Sequence, residues 1–191
     1  MTPASAEPRE VLFALLKELQ ERGISEVAVT GGLALGAWVA PRFTKDFDLC
    51  AVVPESAVDP LLAQYDGIRV GPERIPSTIR FEFAGWPVDV FVAKTAYDRE
   101  CLRRAVAVEL FGAKVKVVTP EDLLIHKLIK LRDDKTKLLQ DAADVQAILQ
   151  TCAVSSTYLE AWLPPDEARF LSEAMSLDAA SLVARLQTLG A

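Results

Sequence analysis

Residues 30–53 read TGGLALGAWVAPRFTKDFDLCAVV, and the prediction of the fold rests on these residues. A short apolar run leads into a glycine pair, a helix-length segment follows, and Asp46-Phe47-Asp48 then begins a second apolar run. Because a β-strand turns successive side chains to opposite faces, Asp46 and Asp48 are expected on one face and Phe47 on the other, toward a core. Two neighbouring carboxylates repel each other, so the pair predicts a site for a divalent cation such as Mg²⁺.

A third acidic residue follows on a later predicted strand. Residues 87–93 read PVDVFVA, in which the valines share one face and Asp89 lies on the other. An ionised carboxylate in an apolar strand needs a partner. If this strand lies beside residues 47–53, Asp89 joins Asp46 and Asp48 on one face. Three acids placed in this way could hold two divalent ions about 3.5–4 Å apart, an arrangement that serves in-line nucleotidyl or phosphoryl displacement.

The glycine pair supplies the complementary half of the expected site. Gly31 and Gly32 fall between a short strand and a helix, where backbone N–H groups can approach phosphate oxygens and the helix dipole favours negative charge. Taken alone, the pair is more typical of a tight strand-to-helix turn. The two aspartates alone are also compatible with solvated acids at the start of a strand, and Asp89 with an edge-strand acid that faces water. The combination favours a metal and phosphate site.

Composition and charge restrict the classes of partner. The chain has 191 residues, of which 51% are hydrophobic and 25% are charged, as is typical of a globular protein with one core, or one core with a helical appendage. A net charge of −6 argues against indiscriminate binding to nucleic acid or to an anionic membrane, because both require a basic surface. The three cysteines lack CxxC spacing, and no signal peptide is recognisable. We therefore expect a cytoplasmic protein with reduced thiols and no membrane partner.

The order of predicted elements indicates an α/β (α+β) protein, with a mixed sheet that is flanked by helices and followed by a C-terminal helical region. In the first part, periodicity predicts helices at residues 7–22, 32–39, 57–65 and 96–105, and strands at 26–30, 47–53, 68–70, 78–84, 87–93 and 115–118. A turn at Gly85-Trp86 is expected to join two of these strands into a hairpin. Helical periodicity continues at residues 120–132, 136–150, 156–162, 166–175 and 178–189. We therefore expect an αβ core at residues 1–119 and a helical region at 120–191 that packs on it.

Together these motifs resemble the nucleotidyltransferase superfamily with the DNA polymerase beta-like fold. The shared pattern is a glycine pair, a spacer, the acid-apolar-acid motif of Asp46 and Asp48, and the later single acid Asp89. The resemblance extends over residues 26–149. Further residues are similar to the bacterial branch that contains the AbiEii-type toxins, namely 42–48 (RFTKDFD), 120–127 (PEDLLIHK), Lys130, Arg132, Asp141 and Asp144.

The resemblance implies an enzyme that uses Mg²⁺ or Mn²⁺ to move a nucleoside monophosphate from an NTP to an acceptor hydroxyl. It implies that Asp46 and Asp48 bind the metal that holds the triphosphate, and that Asp89 serves a second ion, so that all three are catalytic and metal-binding. Some family members carry Ser where this chain has Gly32, and Thr30 is the candidate to replace that hydroxyl. The nucleotide-binding residues that the resemblance implies are Thr30, Gly31, Gly32, Arg42, Thr44, Lys45 and Lys127.

The sequence leaves the acceptor open. It could be an RNA end, a protein side chain or a small molecule such as an antibiotic, and the acidic composition favours the last two. The resemblance to the toxin branch adds the hypothesis of a toxin with an antitoxin partner. An alternative is a non-catalytic nucleotide-sensing or partner-binding module on the same fold. A further alternative is a helical interaction domain at residues 120–191, with the αβ part as a scaffold.

Overall fold

The computed structural model of the protein describes residues 7–40, 44–174 and 176–189. The chain forms two compact units. The first comprises residues 1–37 and 42–118, and the second comprises residues 38–41 and 119–191. The predicted functional division into domains at 1–119 and 120–191 stays a prediction.

The first unit is built on a mixed β-sheet, as the sequence predicts. Its strands in chain order are β1 Val27–Val29, β2 Phe47–Ala51, β3 Ile68–Val70, β4 Thr78–Phe83, β5 Trp86–Val92, β6 Val106–Leu110 and β7 Ala113–Val117. Within the described residues these seven strands lie side by side in the order β3-β4-β5-β2-β1-β7-β6. Strand β2 is parallel to β5 and β1 is parallel to β7, whereas the other neighbours are antiparallel.

The helices of the first unit are amphipathic or apolar segments that cover the sheet. They are α1 Pro8–Glu21, α2 Gly31–Trp38, α3 Glu55–Tyr65 and α4 Ala96–Arg104. Helix α3 contacts β4, and α4 contacts β2. The sequence predicts that Pro60 limits α3, yet the helix continues through it. Proline removes one backbone donor, and the burial of Val58 and Leu61 on both sides of it stabilises the helical path.

Alternation of side chains on the two central strands separates the core from the opposite face. Phe47 and Leu49 on β2, and Val88 and Val90 on β5, are at most 1% exposed. These residues are register partners across the parallel pair, so their side chains share one face of the sheet. The ring of Phe47 stacks on that of Trp86, with 5.1 Å between the ring centroids. The acids between them in sequence therefore lie on the face away from this core.

The turn between β4 and β5 differs from the prediction by one residue. Phe83 pairs with Trp86, so the two turn residues are Ala84 and Gly85, not Gly85 and Trp86. Both turn residues have positive φ, +50° at Ala84 and +84° at Gly85. Positive φ at both positions is what a type I′ hairpin turn requires, because its twist matches that of the flanking strands. The aromatic Trp86 belongs to the strand, where its ring packs.

Strand β6 is not predicted by the sequence. It pairs with β7 through a second two-residue turn at Phe111-Gly112, which also has positive φ at both residues. Because β6 lies at the edge of the sheet, its side chains are at least partly exposed, and Val106 is 43% exposed. Residues 106–110 read VAVEL, a mostly apolar run without the strict alternation of apolar and polar residues from which half-buried strands are recognised.

The second unit is helical within the described residues. Its helices are α5 Pro120–Asp133, α6 Leu138–Thr151, α7 Ser156–Trp162, α8 Pro165–Ala174 and α9 Ala179–Gln187. Helix α6 packs against α5 and α9, whereas α7 packs against α5 and α8. Thr119, Ser155 and Asp178 cap α5, α7 and α9 by accepting hydrogen bonds from backbone N–H groups. Among the helices that the structure describes, none has the length and apolar character needed to cross a bilayer.

Candidate functional site

Asp48 and Asp89 lie side by side on the face of the sheet opposite the core of the first unit. They are register partners on the parallel strands β2 and β5. Register partners on neighbouring strands project to the same face, and the strands are about 4.8 Å apart. The next residues along the two strands, Leu49 and Val90, are fully buried on the other face. The fold therefore brings together two of the three acids that the sequence singled out.

The glycine turn contacts this pair at Asp48. Gly31 begins helix α2 with φ +61°, and a Cβ placed on it would overlap Oδ2 of Asp48 and lie 2.6 Å from its Cγ. Glycine is thus required for the backbone conformation and for the close approach of the carboxylate. The backbone N–H of Thr30 donates to the backbone oxygen of Asp48 at 2.9 Å, and Gly32 is buried in the first turn of α2. The Asp48 carboxylate lies near the helix N-terminus, where the dipole favours negative charge.

Arg80 on β4 holds Asp89 from the other side. The two are register partners across the antiparallel pair β4–β5. Arg80 donates from Nε to Oδ1 of Asp89 at 2.6 Å, and from Nη2 to Oδ2 at 2.8 Å. The hydrogen bonds and the charge of Asp89, with a smaller contribution from Asp48, raise the pKa of the Arg80 guanidinium. Asp48, Asp89 and Arg80 therefore form a row across β2, β5 and β4, which we call the charged row.

Asp46 and its neighbours lie just before β2. Oδ1 of Asp46 accepts a hydrogen bond from Oγ1 of Thr44 at 2.8 Å, and Lys45 is exposed. Arg42, which the resemblance implies as a nucleotide contact, lies outside the described residues. Thr30 is only 2% exposed, which argues against direct contact between its hydroxyl and a phosphate. The predicted nucleotide contacts of Thr44 and Lys45 stay predictions.

The acids fit a divalent cation by chemistry, although they do not converge as a set of three. Among residues 7–40, 44–174 and 176–189, no group of three or more His, Cys, Asp or Glu side chains is arranged to hold a metal ion. In this structure Asp89 is engaged by Arg80, and Asp46 is engaged by the Thr44 hydroxyl. Carboxylate oxygens are nevertheless the ligands that Mg²⁺ and Mn²⁺ prefer. The pair on β2 and β5 offers two of them, and the full metal-binding set stays a prediction.

Lys127 lies in the second unit, inside a cluster of ion pairs between α5 and α6. Its Nζ lies 2.5 Å from Oδ1 of Asp141 and 2.5 Å from Oδ2 of Asp144. Lys130 contacts the other oxygen of Asp141 at 3.1 Å. Both aspartates are buried, at 1% and 4% exposure. Lys127 therefore neutralises carboxylates of its own unit, and its implied contact with a triphosphate stays a prediction.

Arg80 is the site residue that sequence analysis missed. Its position opposite Asp89 depends on where the hairpin turn is placed. A turn at Gly85-Trp86 shifts the register, whereas the two-residue turn at Ala84-Gly85 sets Arg80 across from Asp89. The preference of two-residue hairpin turns for glycine at the second position is the signal that could have identified it.

Comparison with solved structures identifies the fold. The chain is similar to an antigenic nucleotidyltransferase-like protein from Paracoccidioides brasiliensis, with a TM-score of 0.55 and 18% identity, over 95% of this chain and 94% of that one. It is also similar to the antibiotic-resistance factor ANT(2″)-Ia, with a TM-score of 0.52 and 13% identity, over 96% of this chain and 91% of that one. Neither a protein-family model nor a curated protein matches the sequence. At these identities the likeness is one of fold.

Proposed function

This chain has the nucleotidyltransferase fold, and we propose that it uses Mg²⁺ or Mn²⁺ to transfer a nucleoside monophosphate from an NTP to an acceptor hydroxyl. The observation that carries the proposal is the register pairing of Asp48 with Asp89 beside the Gly31 turn. A helix N-terminus that begins with glycine suits phosphate, and adjacent carboxylates suit a hard cation. The close approach of Gly31 to the Asp48 carboxylate supports a joint role for these two features.

In the proposed reaction, each group of residues has a separate task. The backbone N–H groups of Gly31 and Gly32 would contact the phosphates at the start of α2. Asp46 and Asp48 would hold the cation, and Asp89 would supply a further carboxylate from the neighbouring strand. A divalent ion bound by these carboxylates would neutralise charge on the triphosphate and lower the pKa of the acceptor hydroxyl.

The acceptor is proposed to be an RNA end, a protein side chain or a small molecule. The net charge of −6 makes a long polyanion the least favourable of these, although a local site can still receive an RNA end. The similar protein ANT(2″)-Ia is an antibiotic-resistance factor, so antibiotics belong among the acceptors to be tested. Transfer to an RNA end would support the toxin interpretation and would justify a search for an antitoxin partner.

A second candidate function is nucleotide sensing without catalysis on the same fold. The observation that favours it is the Arg80–Asp89 pair, in which both oxygens of Asp89 accept hydrogen bonds from the guanidinium. If Asp89 never leaves Arg80, a nucleotide could bind near Gly31 while the third metal ligand required for transfer is missing.

Thermal unfolding and pyrophosphate release separate the two candidates. ATP, GTP, CTP and UTP are added with and without Mg²⁺ to the wild type, to Asp46→Asn and Asp48→Asn, and to the control Asp166→Asn, which changes an exposed acid on α8. Transferase activity predicts an Mg²⁺-dependent rise in melting temperature and pyrophosphate release with a suitable acceptor, both retained only in the wild type and the control. A melting shift without pyrophosphate in any acceptor mixture would favour sensing. No shift with any nucleotide would contradict both.

A further inference from the structure

The charged row contains a positively charged side chain, the guanidinium of Arg80, beside its two carboxylates. Arg80 donates two hydrogen bonds to Asp89, one to each carboxylate oxygen, and its pKa is also raised by the charge of Asp48. The geometry is the parallel fork that a guanidinium forms with a carboxylate, which a lysine cannot reproduce. Without a cation, two carboxylates on neighbouring strands would repel each other. Arg80 offsets this repulsion when no metal is bound.

The same two hydrogen bonds engage both oxygens of Asp89, the carboxylate that a metal would need as a ligand. A guanidinium remains charged at any pH at which the protein is folded, so it cannot release Asp89 by losing a proton. It can release Asp89 only when the side chain rotates away. A cation that binds Asp89 with both oxygens available must therefore displace Arg80.

We infer that Arg80 is a resident counter-ion that competes with the divalent cation for Asp89, so that metal binding and release of Arg80 are coupled. The inference rests on the proposed function, and it makes Arg80 a positioning residue that controls when Asp89 becomes a ligand. The released guanidinium then has the anionic phosphates of a nucleotide as its alternative partner. Metal and nucleotide consequently strengthen each other's binding through Arg80.

The solvent exposure of the Arg80–Asp89 ion pair determines how strongly Arg80 competes with a metal ion. The Arg80 side chain is 53% exposed, whereas that of Asp89 is 23% exposed. Ion pairs that contact water are weak and are screened by salt, so a divalent ion can displace this one. Removal of the Arg80 charge should therefore increase metal affinity about tenfold at low ionic strength, and less at high salt.

The test measures Mn²⁺ binding to the whole chain by electron paramagnetic resonance. It compares the wild type with Arg80→Gln, with Arg80→Lys and with the matched control Arg69→Gln. Arg69 lies on the adjacent strand β3, is paired with Asp59, and carries the same charge as Arg80. We expect about tenfold tighter binding in Arg80→Gln, an intermediate gain in Arg80→Lys, and a change below about twofold in Arg69→Gln. The gain must disappear when Arg80→Gln is combined with Asp89→Asn.

The outcomes distinguish failure of the inference from failure of the proposed function. If Arg80→Gln and Arg69→Gln bind Mn²⁺ equally, or if the gain persists in the double variant, the competition is wrong and the proposed function stands. If no form of the protein binds Mn²⁺, even with nucleotide, the proposed metal-dependent function is itself overturned.

The Nε–H resonance of Arg80 in the wild type provides a second measurement that depends on no variant's stability. It should shift on addition of Mg²⁺, and an unchanged resonance at metal saturation would overturn the inference.

Discussion

Gly31 combines two structural requirements that no other residue type meets together. Its φ of +61° disfavours any side chain, and a Cβ would overlap the carboxylate of Asp48. Gly85 provides a comparison, because it has φ +84° but no heavy atom within 4 Å of an added Cβ. The contact with Asp48 is thus specific to the glycine turn of the candidate site.

We predict that Gly31→Ala lowers the free energy of unfolding by about 3 kcal/mol, whereas Gly85→Ala lowers it by about 1 kcal/mol. Both substitutions place alanine at a positive φ, +61° and +84°, and only the first also displaces Asp48. Urea denaturation at pH 7 measures the difference. Equal losses in the two variants would show that the contact between Gly31 and Asp48 contributes nothing to stability.

We predict that Lys127 stabilises the folded protein, because its charge neutralises the two buried carboxylates that it contacts. Replacement by methionine removes a cation from Asp141 and Asp144, and should destabilise the protein by about 3 kcal/mol. Lys130→Met is the matched control, because the Lys130 side chain is 39% exposed and its Nζ lies 3.1 Å from Asp141. It should cost below about 1 kcal/mol. Calorimetric unfolding of both variants tests this, and a smaller loss for Lys127→Met than for Lys130→Met would contradict it.

At the scale of elements, the β4–β5 hairpin sets the register that places Arg80 opposite Asp89. Its turn carries Ala84 at φ +50°, a conformation that alanine adopts with strain and asparagine adopts readily. We predict that Ala84→Asn stabilises the protein by about 0.5–1 kcal/mol and that the β-branched Ala84→Val destabilises it. Chemical denaturation measures both. Destabilisation by asparagine would mean that the turn is not of the type I′ family.

The faces of the strands could be predicted from the sequence, whereas the register between paired strands could not. Strict alternation on β2 and β5 allowed the acids to be assigned to the face opposite the core, since a strand has only two faces. The pairing of Asp89 with Arg80 depends on where the hairpin turn lies. A turn at Gly85-Trp86 would set Asp89 opposite Glu82, a shift of two residues that leaves every side chain on its face, so alternation does not exclude it. Strand β6 was missed, although the other edge strand, β3, was predicted and is fully exposed, so exposure at an edge does not by itself explain the miss. Local patterns therefore predicted the strands with a buried face better than the contacts between strands.

For the whole molecule, the sheet brings together residues that are far apart in sequence. The order of a glycine pair, an acid pair and a later acid was enough to predict the nucleotidyltransferase fold, and the similarity to two solved structures confirms it. The order of motifs could not predict the ion pairing within the charged row. That pairing depends on which side chains lie close enough to each carboxylate to bind it. The side chains concerned come from three neighbouring strands.

Transfer of label from NTP to an acceptor is the decisive assay for nucleotidyl transfer by this protein. The protein is incubated with Mg²⁺ and with NTP labelled at either the α- or the γ-phosphate, in the presence of host RNA, host protein or a panel of antibiotics. We predict that α-label, and never γ-label, is transferred by the wild type and by Asp166→Asn, and that the rate falls by at least about 100-fold in Asp48→Asn. Binding of nucleotide without transfer of α-label to any acceptor, or transfer of γ-label instead, would contradict the account.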